Sequence, residues 1–363
     1  MTVISARLSL QQRVFPEYRA PFFNLLAQSC LQGFSLFAGN PRPEEAIATA
    51  TGLQNGDFQP AQNLHISKGK TYALYQRGII NWLERWQPNV LIVESNVRYL
   101  STPAAVQWMH NRGLPVIGWG LGAPPAGKAE SVLRSSFLNT LDAVIAYSKT
   151  GAEQYAACGL PTQRIFVAAN AVAYRPTKIA PERPSTFQDG KPNLLFVGRL
   201  QERKNLDLLL QACAVLPANL TPSLTIVGDG PDRGRLEELA AKTFPAAQFL
   251  GAKHGAELEP YFNQADLFVL PGTGGLAVQQ AMAHALPVIV GQADGTQGEL
   301  VRSENGVVLP ATDLETLTSA LISMLSDVGK LRLMGLASHR IVTEEVNLEA
   351  MVDSFAKAIK SVL

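Results

Sequence analysis

The sequence predicts an α/β protein with parallel sheets, long enough for two domains. Three observations lead there. Between Asp266 and Val290 a short apolar run, Leu267-Phe268-Val269-Leu270, stops at Pro271; Gly272, Gly274 and Gly275 follow; residues 276–285 have the composition of a helix; Val288-Ile289-Val290 is a second strand. Strand, glycine turn, helix, strand is a βαβ unit, and its turn is where such units hold anions, because backbone approaches closely and the helix start offers free N–H groups. Two more strands end in glycine in the same way: Asn193–Val197 runs into Gly198-Arg199-Leu200, with Lys204 shortly after, and Leu224-Thr225-Ile226-Val227 runs into Gly228-Asp229-Gly230-Pro231. Strand ends on one edge of a parallel sheet bring their turns together. Finally, 363 residues with 47% hydrophobic and 17% charged composition give room for two proper cores.

Composition narrows the class. No run of about 18 apolar residues is present, so no transmembrane helix is predicted. Residues 1–13 lack the basic start and long apolar core of a signal peptide. Cys30, Cys158 and Cys213 are odd in number and scattered in apolar contexts, which predicts free thiols in a reducing compartment, hence the cytoplasm, and no metal cluster. Residues 1–190 carry 17 Lys and Arg against 11 Asp and Glu, whereas residues 191–363 carry 14 against 19. The basic half suits an anionic partner such as a lipid phosphate or membrane surface, with peripheral membrane contact as one outcome and scattered solvated charge as the other. No basic stripe, metal finger or aromatic-basic signature points to nucleic acid.

In chain order, residues 8–14 form a strand with poor alternation. A loop with Arg13, Tyr18 and Arg19 leads into a helix through Cys30, with Phe15, Phe22 and Phe23 assigned to the core. Residues 33–39 are a second strand, and residues 40–70 read as a long loop region with short elements. Residues 72–86 have helical spacing, with Leu74, Ile79, Trp82 and Leu83 on one face and Tyr75 and Trp86 packing. Val90-Leu91-Ile92-Val93 is a buried strand ending at Glu94, followed by a helix over residues 102–111 with Thr102 as cap and Pro103 as first position. Pro115-Val116-Ile117 enters a glycine-rich turn from Gly118 to Pro125. Residues 143–147 are a strand closed by Ser148, a helix over 151–158 ends at Gly159, and Ile165-Phe166-Val167 reaches Asn170. Residues 174–190, with several prolines, read as an interdomain linker. After the glycine-turn strands, residues 306–309 close the second sheet, and helices cover 313–326, 328–340 and 347–362.

The ordered set VGRLQERKN, IVGDGP, FLGAK and ADLFVLPG…GL…QAMAHALPVI resembles the C-terminal half of glycosyltransferase family 4 over residues 191–325, and residues 143–148 with Asn170-Ala171-Val172 extend the resemblance upstream. The resemblance implies a retaining, metal-independent enzyme of the GT-B fold, with two Rossmann-like domains facing across a cleft. The implied domains are an acceptor domain over 1–175, a linker over 176–190, a donor domain over 191–346, and a C-terminal helix over 347–363 packing on the first domain. It implies a UDP- or GDP-type nucleotide-sugar as donor substrate, no other cofactor, a saccharide or lipid-linked saccharide acceptor, and a role in polysaccharide biosynthesis.

The reaction releases a diphosphate, so it needs cations and backbone donors where negative charge builds. Arg199 and Lys204, after a strand and at a helix entrance, are the candidate clamp, with Gly198 beside them. Gly274, Gly275 and Leu276 are candidates for N–H donation to phosphate or sugar. Ala252 and Lys253, after Gly251, occupy the place where relatives bind the nucleobase through backbone. Gly228, Asp229 and Gly230 read as turn formers. Arg13, Tyr18 and Arg19 are candidate acceptor contacts. Where relatives carry a histidine at the donor sugar, this chain has Trp119 and Gly120. Relatives also carry two glutamates, for sugar and ribose; the matching positions here are Gly272 and Gln280, so only backbone is offered at the first and an uncharged amide at the second. Glu299 is the candidate substitute, with helix capping as its other reading. That departure keeps two alternatives open: a GT-B protein that binds nucleotide or glycan without transfer, and a sugar-nucleotide epimerase.

Overall fold

The computed structural model of the chain describes residues 2–45, 47–124, 127–274, 276–292 and 296–363. They divide into two compact units, Met1–Val172 with Leu348–Leu363, and Ala173–Asn347. In the first unit, β1 (Leu8–Val14), β2 (Phe34–Gly39), β3 (Asp57–Ile66), β4 (Ala73–Arg77), β5 (Val90–Glu94), β6 (Val116–Gly120), β7 (Ala143–Ala146) and β8 (Ile165–Val167) form one sheet. Their order is β4-β3-β2-β1-β5-β6-β7-β8, and only the β3–β4 pair is antiparallel. β1 is central and buried on both faces, which explains its missing alternation. One of its buried amides, Gln11, is held by a side-chain network. Gln11 Nε2 donates to Gln76 Oε1, and Gln76 Nε2 donates to the Gln12 carbonyl at 3.0 Å and to Asn63 Oδ1 at 2.8 Å.

Two expectations for this unit are overturned. Residues 40–70 are not mainly loop, because β3 spans ten of them, paired with β2 over its first half and β4 over its second. It lies toward the sheet edge and is half-exposed along most of its length, so it carries no apolar run to announce it. Nor are residues 72–86 one helix. β4 buries Leu74 and Gln76 alternately, Gly78 turns the chain at φ 88°, and only Ile79–Trp86 is helical. Tyr75 is therefore exposed rather than packed. Trp86 does pack, with Nε1 donating to the Leu8 carbonyl at 3.3 Å and the Arg7 guanidinium 4.4 Å over its ring. The helix Thr102–His110 takes Ser101 as its N-cap, one residue earlier than expected, leaving Pro103 inside the first turn where no N–H is needed. The helix Lys128–Asn139 had no expectation, since Val132 and Leu133 face outward and break any apolar stripe.

The terminal helix Leu348–Val362 packs on the helix Ala20–Ser29 and on β7 and β8. Phe355 lies 5.0 Å from both Phe22 and Trp119, ring centroid to centroid. Burying one such phenylalanine contributes about 2–3 kcal/mol.

The second unit holds β9 (Asn193–Val197), β10 (Ser223–Val227), β11 (Ala247–Phe249), β12 (Leu267–Leu270), β13 (Val288–Val290) and β14 (Gly306–Val308) in the order β11-β10-β9-β12-β13-β14, all parallel. Every strand read from the glycine-turn motifs is present. The helices Leu314–Leu325 and Val328–Glu344 start on aspartate caps, Asp313 accepting from the Thr316 N–H at 2.8 Å and Asp327 from that of Lys330 at 2.9 Å. Within residues 174–190, Arg183 donates to the carbonyls of Phe262, Asn263, Ala265, His284 and Ala285, so that stretch is tied to the second unit.

Candidate functional site

The C-terminal ends of β9, β10 and β12 converge, as parallel topology requires. Glycine lets them touch. A Cβ at Gly228 would stand 1.9 Å from the Gly198 carbonyl oxygen, and one at Gly230 would stand 2.1 Å from that of Leu200. The Leu200 N–H donates to the Asp229 carbonyl at 2.9 Å. Gly228 and Gly230 thus shape the turn, as their sequence context suggested.

After β9 the chain makes a tight turn over Glu202–Lys204, and Asn205, at φ 50°, leads into the helix Leu206–Ala214. This geometry folds Lys204 inward, so that the residue is only 8% exposed. Its ammonium donates to the Thr273 carbonyl at 2.5 Å, in the turn after β12. Gly272 packs on the same segment, since a Cβ there would meet the Arg203 carbonyl oxygen at 2.2 Å and Lys204 Cα at 2.5 Å. A Cβ at Gly274 would meet Lys204 Nζ at 2.1 Å. The structure therefore brings Lys204, Gly272 and Gly274 together, with Gly198 beside the lysine stem. Arg199 is part-buried at the end of β9.

Burial, and then the neighbouring Arg203 charge, hold the Lys204 ammonium down at a pKa of about 8. Among the described residues no carboxylate forms an ion pair with it. A buried cation in that state has strong affinity for an anion that reaches it.

Other candidates on this unit are placed more loosely. Leu276 opens the helix Leu276–Ala283 and Gln280 is part-buried on it. Gly275 lies outside the described residues. Ala252 is exposed and Lys253 part-buried after Gly251, whose carbonyl accepts from the Gly228 N–H at 2.8 Å. Glu299 sits on the short helix Gln297–Leu300 in the charge group around Arg302.

On the first unit, Trp119 is 1% exposed and sealed among Phe22, Phe23, Tyr147 and Phe355, so its ring is a core element and not a contact surface. Gly120 has Tyr155 Oη where a Cβ would go, at 2.6 Å. Arg13 is committed to Glu45, with contacts of 2.8 and 3.0 Å. Arg19 is buried, donates to Asn170 Oδ1, and lies 5.5 Å over the Trp119 ring, whereas Tyr18 stays 48% exposed.

Three side chains at these edges escaped the sequence reading. Arg203 Nη1 donates to Thr273 Oγ1 at 2.9 Å, and the Thr273 N–H donates back to the Arg203 carbonyl at 2.9 Å. Gln297 Nε2 donates to the Gly274 carbonyl at 2.9 Å. Glu94, at the end of β5, accepts the Arg13 N–H at 2.5 Å; burial lifts its pKa to about 7 despite the opposing effects of Arg13, Tyr99 and Arg19. The ERK run before the helix gave the one available signal for Arg203; nothing local marks Gln297, which reaches the turn only through the fold.

Comparison with known proteins places these features. The family model "Glycosyl transferases group 1" matches residues 191–327. A GDP-mannose-dependent alpha-mannosyltransferase of Mycobacterium tuberculosis is 39% identical over 130 residues, 35% of this chain and 32% of that one. A Corynebacterium glutamicum GDP-mannose-dependent monoacylated alpha-(1-6)-phosphatidylinositol monomannoside mannosyltransferase is 30% identical over 195 residues, 51% of each chain. The chain thus spans between a third and a half of the length of such relatives. Among solved structures, Anabaena HepE in complex with UDP aligns over 99% of this chain and 100% of that one, with TM-score 0.72 and 14% identity. Sucrose-phosphate synthase from Thermosynechococcus elongatus aligns over 98% of both chains, with TM-score 0.71 and 17% identity. The chain therefore has the GT-B fold of two Rossmann-like units, and its second unit is similar in sequence to the group 1 glycosyl transferases.

Proposed function

We propose that the chain is a glycosyltransferase that takes a hexose from a UDP- or GDP-type nucleotide-sugar and passes it, with retention, to a saccharide or lipid-linked saccharide. The observation that carries this reading is Lys204, a buried cation with no carboxylate ion-paired to it among the described residues, fixed against a glycine turn at the C-terminal edge of a parallel sheet. As the glycosidic bond breaks, charge accumulates on the departing diphosphate. Lys204 and Arg199 neutralise it, the lysine more strongly than a surface ammonium would, because little water competes. Backbone N–H groups of the turn and of the helix start after it add donors. No metal enters this scheme.

The relatives' GDP-mannose makes that nucleotide-sugar the first donor to assay, with UDP-glucose second. Peripheral membrane contact through the first unit is supported by its basic charge and by the outward-facing Val132 and Leu133. No helix among the described residues is long and apolar enough to cross a membrane.

The test is transfer by Arg199→Ala and Lys204→Ala against the wild type. Losses of about a hundredfold or more, with the circular dichroism spectrum intact, are expected for removing a charge at the leaving group. Unchanged turnover in both variants overturns the reading. Gly272 and Gln280 at the two glutamate positions favour a second reading, binding without transfer. Calorimetric nucleotide binding with no product across a broad acceptor panel would establish that alternative.

A further inference from the structure

Gln297 and Gln279 make a revealing pair. Both are nearly fully buried, at 2% and 1% exposure. Gln279 is satisfied at both ends, its Oε1 accepting from the Ala173 N–H at 3.1 Å and its Nε2 donating to the Val346 carbonyl at 2.6 Å. That is how an amide in a purely structural role is held. Gln297 is satisfied at one end only. Its Nε2 donates to the Gly274 carbonyl at 2.9 Å, while its buried Oε1 has no hydrogen-bond partner among the described residues. A buried acceptor left unpaired is costly to folding, so a ligand hydroxyl that meets it recovers a bond the free protein lacks.

Its location adds to this. Two successive carbonyls of the turn are taken, that of Thr273 by Lys204 and that of Gly274 by Gln297. The turn is pinned between a cation and an amide. On the other side, Gly272 has backbone of residues 203 and 204 where a side chain would begin, so no carboxylate can project from that position. An oxygen acceptor for the sugar has to come from elsewhere on the rim of the turn.

We infer that Gln297 is a donor-sugar binding residue, whose Oε1 accepts a hydroxyl of the hexose while its Nε2 holds the Gly274 carbonyl. This inference rests on the nucleotide-sugar reading above and assigns the sugar contact within it. It also makes Gln297 a determinant of which hexose is accepted, because an unpaired acceptor discriminates against a sugar lacking the matching hydroxyl.

The experiment is isothermal calorimetry of the wild type and Gln297→Leu with GDP, UDP, GDP-mannose and UDP-glucose. With the nucleotide series that the wild type binds, Gln297→Leu is expected to weaken the nucleotide-sugar about tenfold or more while changing the bare nucleoside diphosphate by about twofold or less. Monodeoxy versions of the bound sugar then identify the hydroxyl, since its removal and the substitution are not additive. Equal weakening of nucleotide and nucleotide-sugar would reduce Gln297 to a support for the turn, and no weakening of either would remove it from the site; each overturns the inference alone. A wild type that binds neither series overturns the donor reading and this inference with it.

Discussion

Replacing Lys204 with methionine separates stability from ligand capture. Methionine keeps the buried stem and deletes the charge. In the folded protein the ammonium has a pKa of about 8, against 10.5 for an unburied lysine. At about 1.4 kcal/mol per unit, holding it charged at pH 7 costs roughly 3 kcal/mol. The bond to the Thr273 carbonyl is lost in the variant, which returns about 1 kcal/mol. Lys204→Met is therefore expected to be about 2 kcal/mol more stable than the wild type at pH 7, or about 4–8 °C in Tm for a unit of this size. The sign follows from proton counts. Between pH 8 and 10.5 the unfolded lysine holds a proton that the folded one has shed, so wild-type stability rises with pH across that window and is lower and flat beneath it. The gap between the two proteins closes by pH 10.5. Urea melts at pH 7 and pH 10, read by fluorescence, measure both. The same variant is expected to lose nucleoside diphosphate binding. A variant less stable than the wild type at pH 7, or a gap that does not narrow at pH 10, refutes the account of a strained, anion-seeking lysine.

Glu94→Gln tests the first unit. Its folded pKa of about 7 lies above the ordinary 4.5, so the wild type is stabilised fully below pH 4.5 and loses that contribution as pH rises through 7. The glutamine variant is expected to match the wild type near pH 4.5 and exceed it by about 2 kcal/mol at pH 8, discounted for partial exposure, in denaturant melts. Gly272→Ala forces a Cβ into the backbone of residues 203 and 204. It is expected to cost about 2–3 kcal/mol in thermal melts and to weaken nucleotide binding by displacing Lys204.

The second unit was legible in sequence because its central strands β9, β12 and β13 are short, buried apolar runs closed by glycine or proline. Gly228, Gly230 and Gly272 announce close backbone approaches that no other residue tolerates. The first unit was harder to read. β3, with its proline and amides, lies toward the sheet edge and lacks a continuous apolar signal, and β4 with the helix Ile79–Trp86 mimics one long helical period until Gly78 is seen to turn the chain. Among site residues, Lys204 was legible as a cation after a strand, but its burial was not, since that depends on the turn over Glu202–Lys204. Trp119 occupies the place where the resemblance implies a donor-sugar histidine; packing against Phe22 and Phe355 puts its ring in the core instead. Gln297 lies too far from the turn in sequence for spacing to reveal it.

The most direct test is a crystal structure with GDP or UDP bound. A diphosphate oxygen within hydrogen-bond distance of Lys204 Nζ, beside the Gly272-Thr273-Gly274 turn, is the expected result. A diphosphate lodged elsewhere on the molecule, with the Lys204–Thr273 contact undisturbed, contradicts the account.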